Sequence, residues 1–267
     1  QNDQLIIISP RMLSLFFGVL SLFYVYKISK KYTSNLAIQL SVPTVLVLMP
    51  EFAFMCLRFH THSQLLFFSV LCFYFATNYR DESFVIRKIL FAMALAIGTK
   101  INALILVIAI APICLILYKD KNNGNVSYKA ILKYIIFTSF FTILFYNPLI
   151  ILFPIFTSES YEAIRMLFSH IYYSGINPGH LSNEYLMNLL ENGLFKNYAG
   201  YLTLPLSIIS LITGYVLYRD KNFSDKNLPY ILIFMSLSFL IAATVLLFRV
   251  KNGPWSYANY IIPLIFP

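Results

Sequence analysis

Charged residues are scarce in this chain of 267 residues, since Asp, Glu, Lys and Arg together make up only 12% of it. Soluble domains carry about 25% charged residues and about 45–50% apolar ones. Here 59% of the residues are hydrophobic, and so few charges could not cover the exterior of a protein in water. This composition excludes a soluble globular domain. It predicts an all-α fold, a polytopic transmembrane helix bundle that exposes apolar side chains to a bilayer.

Cysteines are also few, and their spacing shows no pairing. Cys56, Cys72 and Cys114 all lie inside apolar runs, so neither a disulfide framework nor a zinc site is indicated. His60 and His62 are one residue apart and could form a metal pair, but no carboxylate or third histidine lies beside them. We therefore predict no metal and no cofactor.

The net charge of +9 raises the question of a nucleic-acid partner. The basic residues lie in short loops between apolar runs and form no continuous stripe, which argues against nucleic acid. Lys and Arg close to a membrane and facing anionic lipids give a simpler explanation.

Apolar runs recur along the whole chain. A helical span needs about 20 apolar residues, and the sequence predicts about eight to nine spans within a single transmembrane domain over 1–267. They lie at 10–27, 35–57, 63–79, 84–99, 101–118, 130–153, 198–218 and 229–248, with an incomplete one from 257. The chain starts at Gln1 and stops inside an apolar run, so we expect a piece of a longer protein, truncated at both ends.

The distribution of Lys and Arg predicts the orientation, because cytoplasmic loops carry the excess of these residues. Alternate loops hold 13 of the 20 Lys and Arg, which makes their side cytoplasmic and places residue 1 outside. The long connection at about 154–197 is then external. Helical spacing of apolar residues in 159–172 and 183–192 predicts two interfacial helices there, although a plain connector fits as well.

Cations at the external ends of spans are the most informative residues, because that side should be poor in them. Together they predict a site for an anionic ligand, with phosphate as the natural candidate. Anchoring to lipid headgroups is the alternative for any single residue. Glu51, after Pro50, could be a functional acid at an external helix end or a simple polar contact. The predicted substrate-binding residues are Arg11, Arg58, His62, Lys100, Arg249, Lys251, Tyr257 and Tyr260.

Five short motifs, in this order, resemble the GT-C glycosyltransferases that use polyprenyl-phosphate sugars, in the branch that holds protein O-mannosyltransferases and aminoarabinose transferases. The resemblance covers most of the chain and depends on the order of the motifs. The motifs are Arg11-x-x-Ser14-x-x-x-Gly18, Arg58-Phe59 through Leu65-Leu66-Phe67-Phe68, Gly98-Thr99-Lys100, Asn147-Pro148 and Tyr260-x-x-Pro263.

This resemblance implies a membrane enzyme that moves a sugar from a polyprenyl-phosphate donor to a hydroxyl of a lipid, glycan or protein acceptor on the external or lumenal face. Arg11, Lys100 and Arg249 would stabilise the phosphate as it leaves. Two departures concern the acids. The family's catalytic acid falls upstream of residue 1, so this piece alone is expected to be inactive, and the family's second acidic position is Ser63 here, beside His62.

Two further hypotheses remain open. A transporter or flippase for an anionic lipid-linked substrate would need the same cations but no acid in the first external loop, and it would often show an internal repeat of broken helices. A structural subunit would use the cations only as anchors. For the transferase, as for these two alternatives, we expect a multi-pass protein, in a prokaryotic plasma membrane rather than in the endoplasmic reticulum.

Overall fold

The computed structural model describes residues 2–57, 61–78, 84–99, 103, 105–121, 127–146, 198–220, 223 and 227–249. All regular structure among them is helical, which confirms the predicted all-α class. The predicted interfacial helices of 159–172 and 183–192 and the incomplete span from 257 lie outside the described residues.

Nine helices occupy the described residues, close to the positions predicted from the apolar runs. They are α1 (Asn2–Tyr32), α2 (Leu36–Leu48), α3 (Pro50–Leu57), α4 (Thr61–Thr77), α5 (Val85–Thr99), α6 (Ile105–Lys121), α7 (Tyr128–Tyr146), α8 (Tyr198–Arg219) and α9 (Asn227–Arg249). Two of the described helices contain a stretch long and apolar enough to cross a membrane, Arg11–Tyr32 in α1 and Tyr128–Phe145 in α7. The number of spans thus stays a prediction.

The predicted span over 35–57 is not one continuous helix, because two helices, α2 and α3, occupy it. Proline disfavours the helical conformation in the residue before it, and Met49, before Pro50, is extended at φ −72° and ψ 122°. Pro50 then starts α3, a position where its missing N–H is not needed. The backbone N–H groups of Phe52 and Ala53 donate to the carbonyl of Met49, at 3.1 Å and 3.3 Å, and restart the helix.

The first helix is longer than the predicted span of 10–27. It begins at Asn2 and continues through the basic residues to Tyr32. The sequence predicted that Arg11 lies at the start of the first span. In the structure Arg11 lies nine residues inside α1. After Tyr32 the chain turns sharply, with the side chain of Asn35 accepting from the backbone N–H of Ala37 at 2.9 Å to cap α2.

Aromatic contacts between helices establish their relative directions. Phe17 of α1 meets Phe67 of α4 at 5.4 Å between ring centroids, and Tyr24 meets Tyr74 at 4.8 Å. Both contacts join residues 50 apart in the sequence, so α1 and α4 run parallel with a constant offset. Helices α5 and α7 are also parallel, since Phe91 packs on Phe141 at 5.0 Å and Gly98 lies against Phe145.

Two further pairs are in contact: α4 with α5, which are antiparallel, and the end of α6 with the start of α7. In the first pair the thiol of Cys72 lies 3.7 Å from the carbonyl oxygen of Ile89, while Lys88 lies over Phe75. In the second, Tyr118 near the end of α6 contacts Tyr134 near the start of α7. The ends of α4 and α6 and the starts of α5 and α7 therefore lie on the same side of the bundle.

Helix α4 is the centre of the bundle. It packs against α1, α3, α5, α6 and α9, and twelve of its 17 residues are buried. Helix α7, in contrast, is peripheral and packs mainly on α5. No residue of its Tyr128–Phe145 stretch is buried.

Candidate functional site

A group of buried polar side chains lies where α4 begins. His62 is 3% exposed and Ser63 is fully buried, in the first turn of the central helix. On the neighbouring helix α1, Ser14 is 3% exposed. Polar groups in such surroundings are retained only where they have hydrogen-bonding partners, and all three residues do have partners in the structure. This group is the polar centre of the candidate site.

The buried face of α1 includes Ser14, which belongs to this polar group. Ser14, Gly18, Ser21 and Val25 follow one another at spacings of three or four residues, and all four are buried. Small residues at this spacing allow helices to approach closely. A Cβ added at Gly18 would collide with the thiol of Cys56 on α3, so the backbones of α1 and α3 are in close contact there.

Arg11 is the next residue of that stripe, one turn before Ser14. The offset of 50 residues between α1 and α4 places Arg11 level with Thr61, next to His62. The Arg11 side chain is exposed. The structure thus brings two of the predicted site residues, Arg11 and His62, to the same height, at the start of α4 and nine residues inside α1. We call this the Arg11 end of the bundle.

The other predicted site residues lie outside the described part of the chain. The described parts of α3 and α5 end at Leu57 and Thr99, immediately before Arg58 and Lys100. Arg249 is the last residue of α9, which packs on α4 and α6, but its side chain is not described. Lys251, Tyr257 and Tyr260 follow beyond α9 and are not described either. No group of residues suited to a metal ion occurs in the described portion.

Glu51 lies immediately after the break between α2 and α3. The apolar run 35–57 contains this residue, and the structure divides that run at Met49, two residues before Glu51. Glu51 is in the first turn of α3, directly after the break, and α3 contacts α1 at Gly18, seven residues inside α1 from Arg11. An acidic residue at an interrupted helix is a common feature of membrane sites, and Pro50 was the signal that could have indicated it.

The opposite end of the bundle, where α1, α4 and α6 finish and α5 and α7 begin, carries most of the described cations. We call it the basic end. Its cations have exposed side chains and lie beside aromatic rings in several cases, such as Lys27 at 5.2 Å from the centre of Phe23 and Arg87 at 5.2 Å from that of Phe84. The described cations here are Lys27, Lys30, Lys31, Arg87, Lys88, Lys119, Lys129 and Lys133.

Comparison with known proteins adds no assignment to this arrangement: no protein-family model, no curated protein and no solved structure matches the chain.

Proposed function

We propose that the protein is a multi-pass membrane glycosyltransferase that uses a sugar linked to polyprenyl phosphate and acts at the Arg11 end of the bundle. The observation that carries the proposal is the parallel, constant-offset pairing of α1 and α4, which puts Arg11 and His62 at the same height. The motif resemblance described above supplies the reaction class.

Membrane location is the first part of the proposal, and the exposed surfaces of the outer helices support it. On α7, Leu132, Ile136 and Phe140 are exposed, and on α8 so are Ile209, Ile212 and Val216. Monomeric soluble proteins rarely expose apolar patches larger than a few hundred Å². A bilayer covers such surfaces without any further partner, and the basic end would then face the cytoplasm.

The reaction would use the cations of the Arg11 end as electrostatic catalysts. An acceptor hydroxyl attacks the anomeric carbon, the bond from that carbon to the phosphate oxygen breaks, and the lipid phosphate leaves with the electron pair. Arg11, with Lys100 and Arg249 as the resemblance implies, would stabilise the growing negative charge, which is usually the largest single contribution to the rate. A carboxylate accepts the hydroxyl proton, and the resemblance places that carboxylate upstream of residue 1.

The test is sugar transfer by the full-length protein carrying Arg11→Ala or Lys100→Ala. We expect each substitution to lower the transfer rate by about a hundredfold or more, as when one donor is removed from a preorganised charge-stabilising site. Because Arg11 is exposed, its loss should leave the amount of folded protein unchanged.

Arg219→Ala is the matched control, since Arg219 is an exposed arginine in the last turn of α8. It should transfer sugar at the unaltered rate. Wild-type transfer by both the Arg11 and the Lys100 variants would overturn the assignment of the phosphate site.

A transporter for an anionic lipid-linked substrate is the second candidate, and the α2–α3 break favours it. Discontinuous helices are typical of transporters, where the interrupted segment binds substrate or a coupling ion. Glu51 has this position, in the first turn after Pro50.

Glu51→Gln separates the two candidates, because it removes the charge and keeps the size of the side chain. The transporter hypothesis expects loss of substrate translocation into or out of vesicles with no effect on any sugar transfer. The transferase hypothesis expects sugar transfer in the absence of translocation, and Arg11→Ala should abolish it.

A further inference from the structure

Three helices converge at one corner of the basic end. Tyr118, near the end of α6, packs edge-on against Tyr134 of α7, with ring centroids 6.1 Å apart. Helices α5 and α7 are parallel and in contact, so Arg87, in the first turn of α5, lies at the same end of this pair as Tyr134. This corner therefore combines one guanidinium and two phenols from three different helices.

Positive charge surrounds the corner. Lys119 follows Tyr118 directly and Lys133 precedes Tyr134, and both side chains are exposed, as is that of Arg87. Within the described parts of the chain no carboxylate pairs with any of these three cations. Arg and Lys with nearby hydroxyl donors are well suited to bind a phosphate group.

The surface of α7 next to this corner shows which kind of phosphate compound fits. Lys129, Lys133, Ile136, Phe140 and Ile143 follow one another at spacings of three or four residues and form one exposed stripe along the helix. It carries cations at the basic end and large apolar side chains beyond them. A free phosphate ion would use only the cations, whereas a phospholipid would use both parts, with its acyl chains along the apolar part.

We propose that the corner formed by Arg87, Tyr118, Lys133 and Tyr134 binds the headgroup phosphate of an anionic phospholipid. The lipid chains lie along the exposed apolar stripe of α7. This site is separate from the Arg11 end and depends on the proposed function only for the membrane location of the bundle.

The measurement is lipid binding by the purified full chain in detergent, with phosphatidylglycerol as the probe and native mass spectrometry as the readout. Phosphatidylcholine and inorganic phosphate are the comparison ligands. We expect one tightly bound phosphatidylglycerol per chain and no tight binding of either comparison ligand. Arg87→Gln should weaken phosphatidylglycerol binding about fivefold or more, since one cation near a lipid surface contributes about 1 kcal/mol.

Lys30→Gln is the control, because Lys30 is an exposed cation of the basic end on α1, away from α5, α6 and α7. It removes the same charge and should leave the tightly bound lipid in place, while Tyr134→Phe should weaken it with no loss of charge. Equal weakening by the Arg87 and Lys30 substitutions would show diffuse attraction and overturn the site. Binding of inorganic phosphate as tight as that of phosphatidylglycerol would overturn the choice of a lipid. Sugar transfer is not part of this readout, so its absence would contradict the proposed function alone.

Discussion

Helices α4 and α7 are similar in length and in their share of apolar residues, yet they have opposite places in the bundle. Phe73 of α4 is 1% exposed, while Phe140 of α7 is 47% exposed. The polar residues differ accordingly, with His62 and Ser63 buried at the start of α4 and Lys129 and Lys133 exposed at the start of α7. The comparison separates a buried helix, α4, which carries candidate site residues, from a peripheral one, α7, whose apolar side chains are exposed.

Truncation of one phenylalanine in each helix should show the largest difference in stability between α4 and α7. Phe73→Ala should lower the free energy of unfolding by about 3–5 kcal/mol, because the cavity it leaves in the centre cannot be refilled. Phe140→Ala should cost less than about 1 kcal/mol, since solvent-facing or lipid-facing atoms lose few protein contacts. Equilibrium unfolding in mixed detergent and denaturant measures both, and equal losses would contradict the central position of α4.

An arginine introduced on the exposed face of α7 tests whether that face contacts lipid or water. Phe140→Arg should cost about 2.5–3.5 kcal/mol for insertion if that face contacts the hydrocarbon core. In water the same change would be neutral or would improve solubility. A membrane-insertion assay of the α7 segment measures the difference, with Phe140→Leu as the control that should insert like the original.

Removal of one hydroxyl from each helix should give the smallest change in the free energy of unfolding. Ser69 of α4 donates to the carbonyl of Leu65 at 2.7 Å, and Thr138 of α7 donates to that of Tyr134 at 2.9 Å. Both bonds return to a carbonyl of the same helix four residues earlier, where they add little. Ser69→Ala and Thr138→Val should each change the free energy of unfolding by about 0.6 kcal/mol or less. A large loss for Ser69→Ala alone would mean that its hydroxyl has a role between helices.

The positions of three helices could be predicted from the apolar runs with small errors. The runs 63–79, 84–99 and 229–248 correspond to α4, α5 and α9 within about two residues at each end. The break at Met49–Pro50 was missed because the run over 35–57 is apolar on both sides of it, so composition gave no boundary. Arg11 and His62 were identified from charge and motif order, but their common height needed the contacts of Phe17 and Tyr24 with α4.

The Tyr118–Tyr134–Arg87 corner was also missed. Its signal in the sequence is a tyrosine beside a lysine at each end of a short loop, Tyr118-Lys119 and Lys133-Tyr134. That pattern is common at membrane interfaces, where tyrosine and lysine both settle. Only the packing of α5 against α7 brings Arg87 to the same place.

The sequence alone determined that the chain is helical, that its helices are rich in apolar residues, and that cations gather at helix ends. The tertiary structure decided which helix is central, since α4 is buried and α7 is not. The physical reason is that a bilayer accommodates leucine or phenylalanine as well as a protein interior does. An apolar face therefore does not mark the inner side of such a helix, and the inner side becomes known only from the side chains that contact one another.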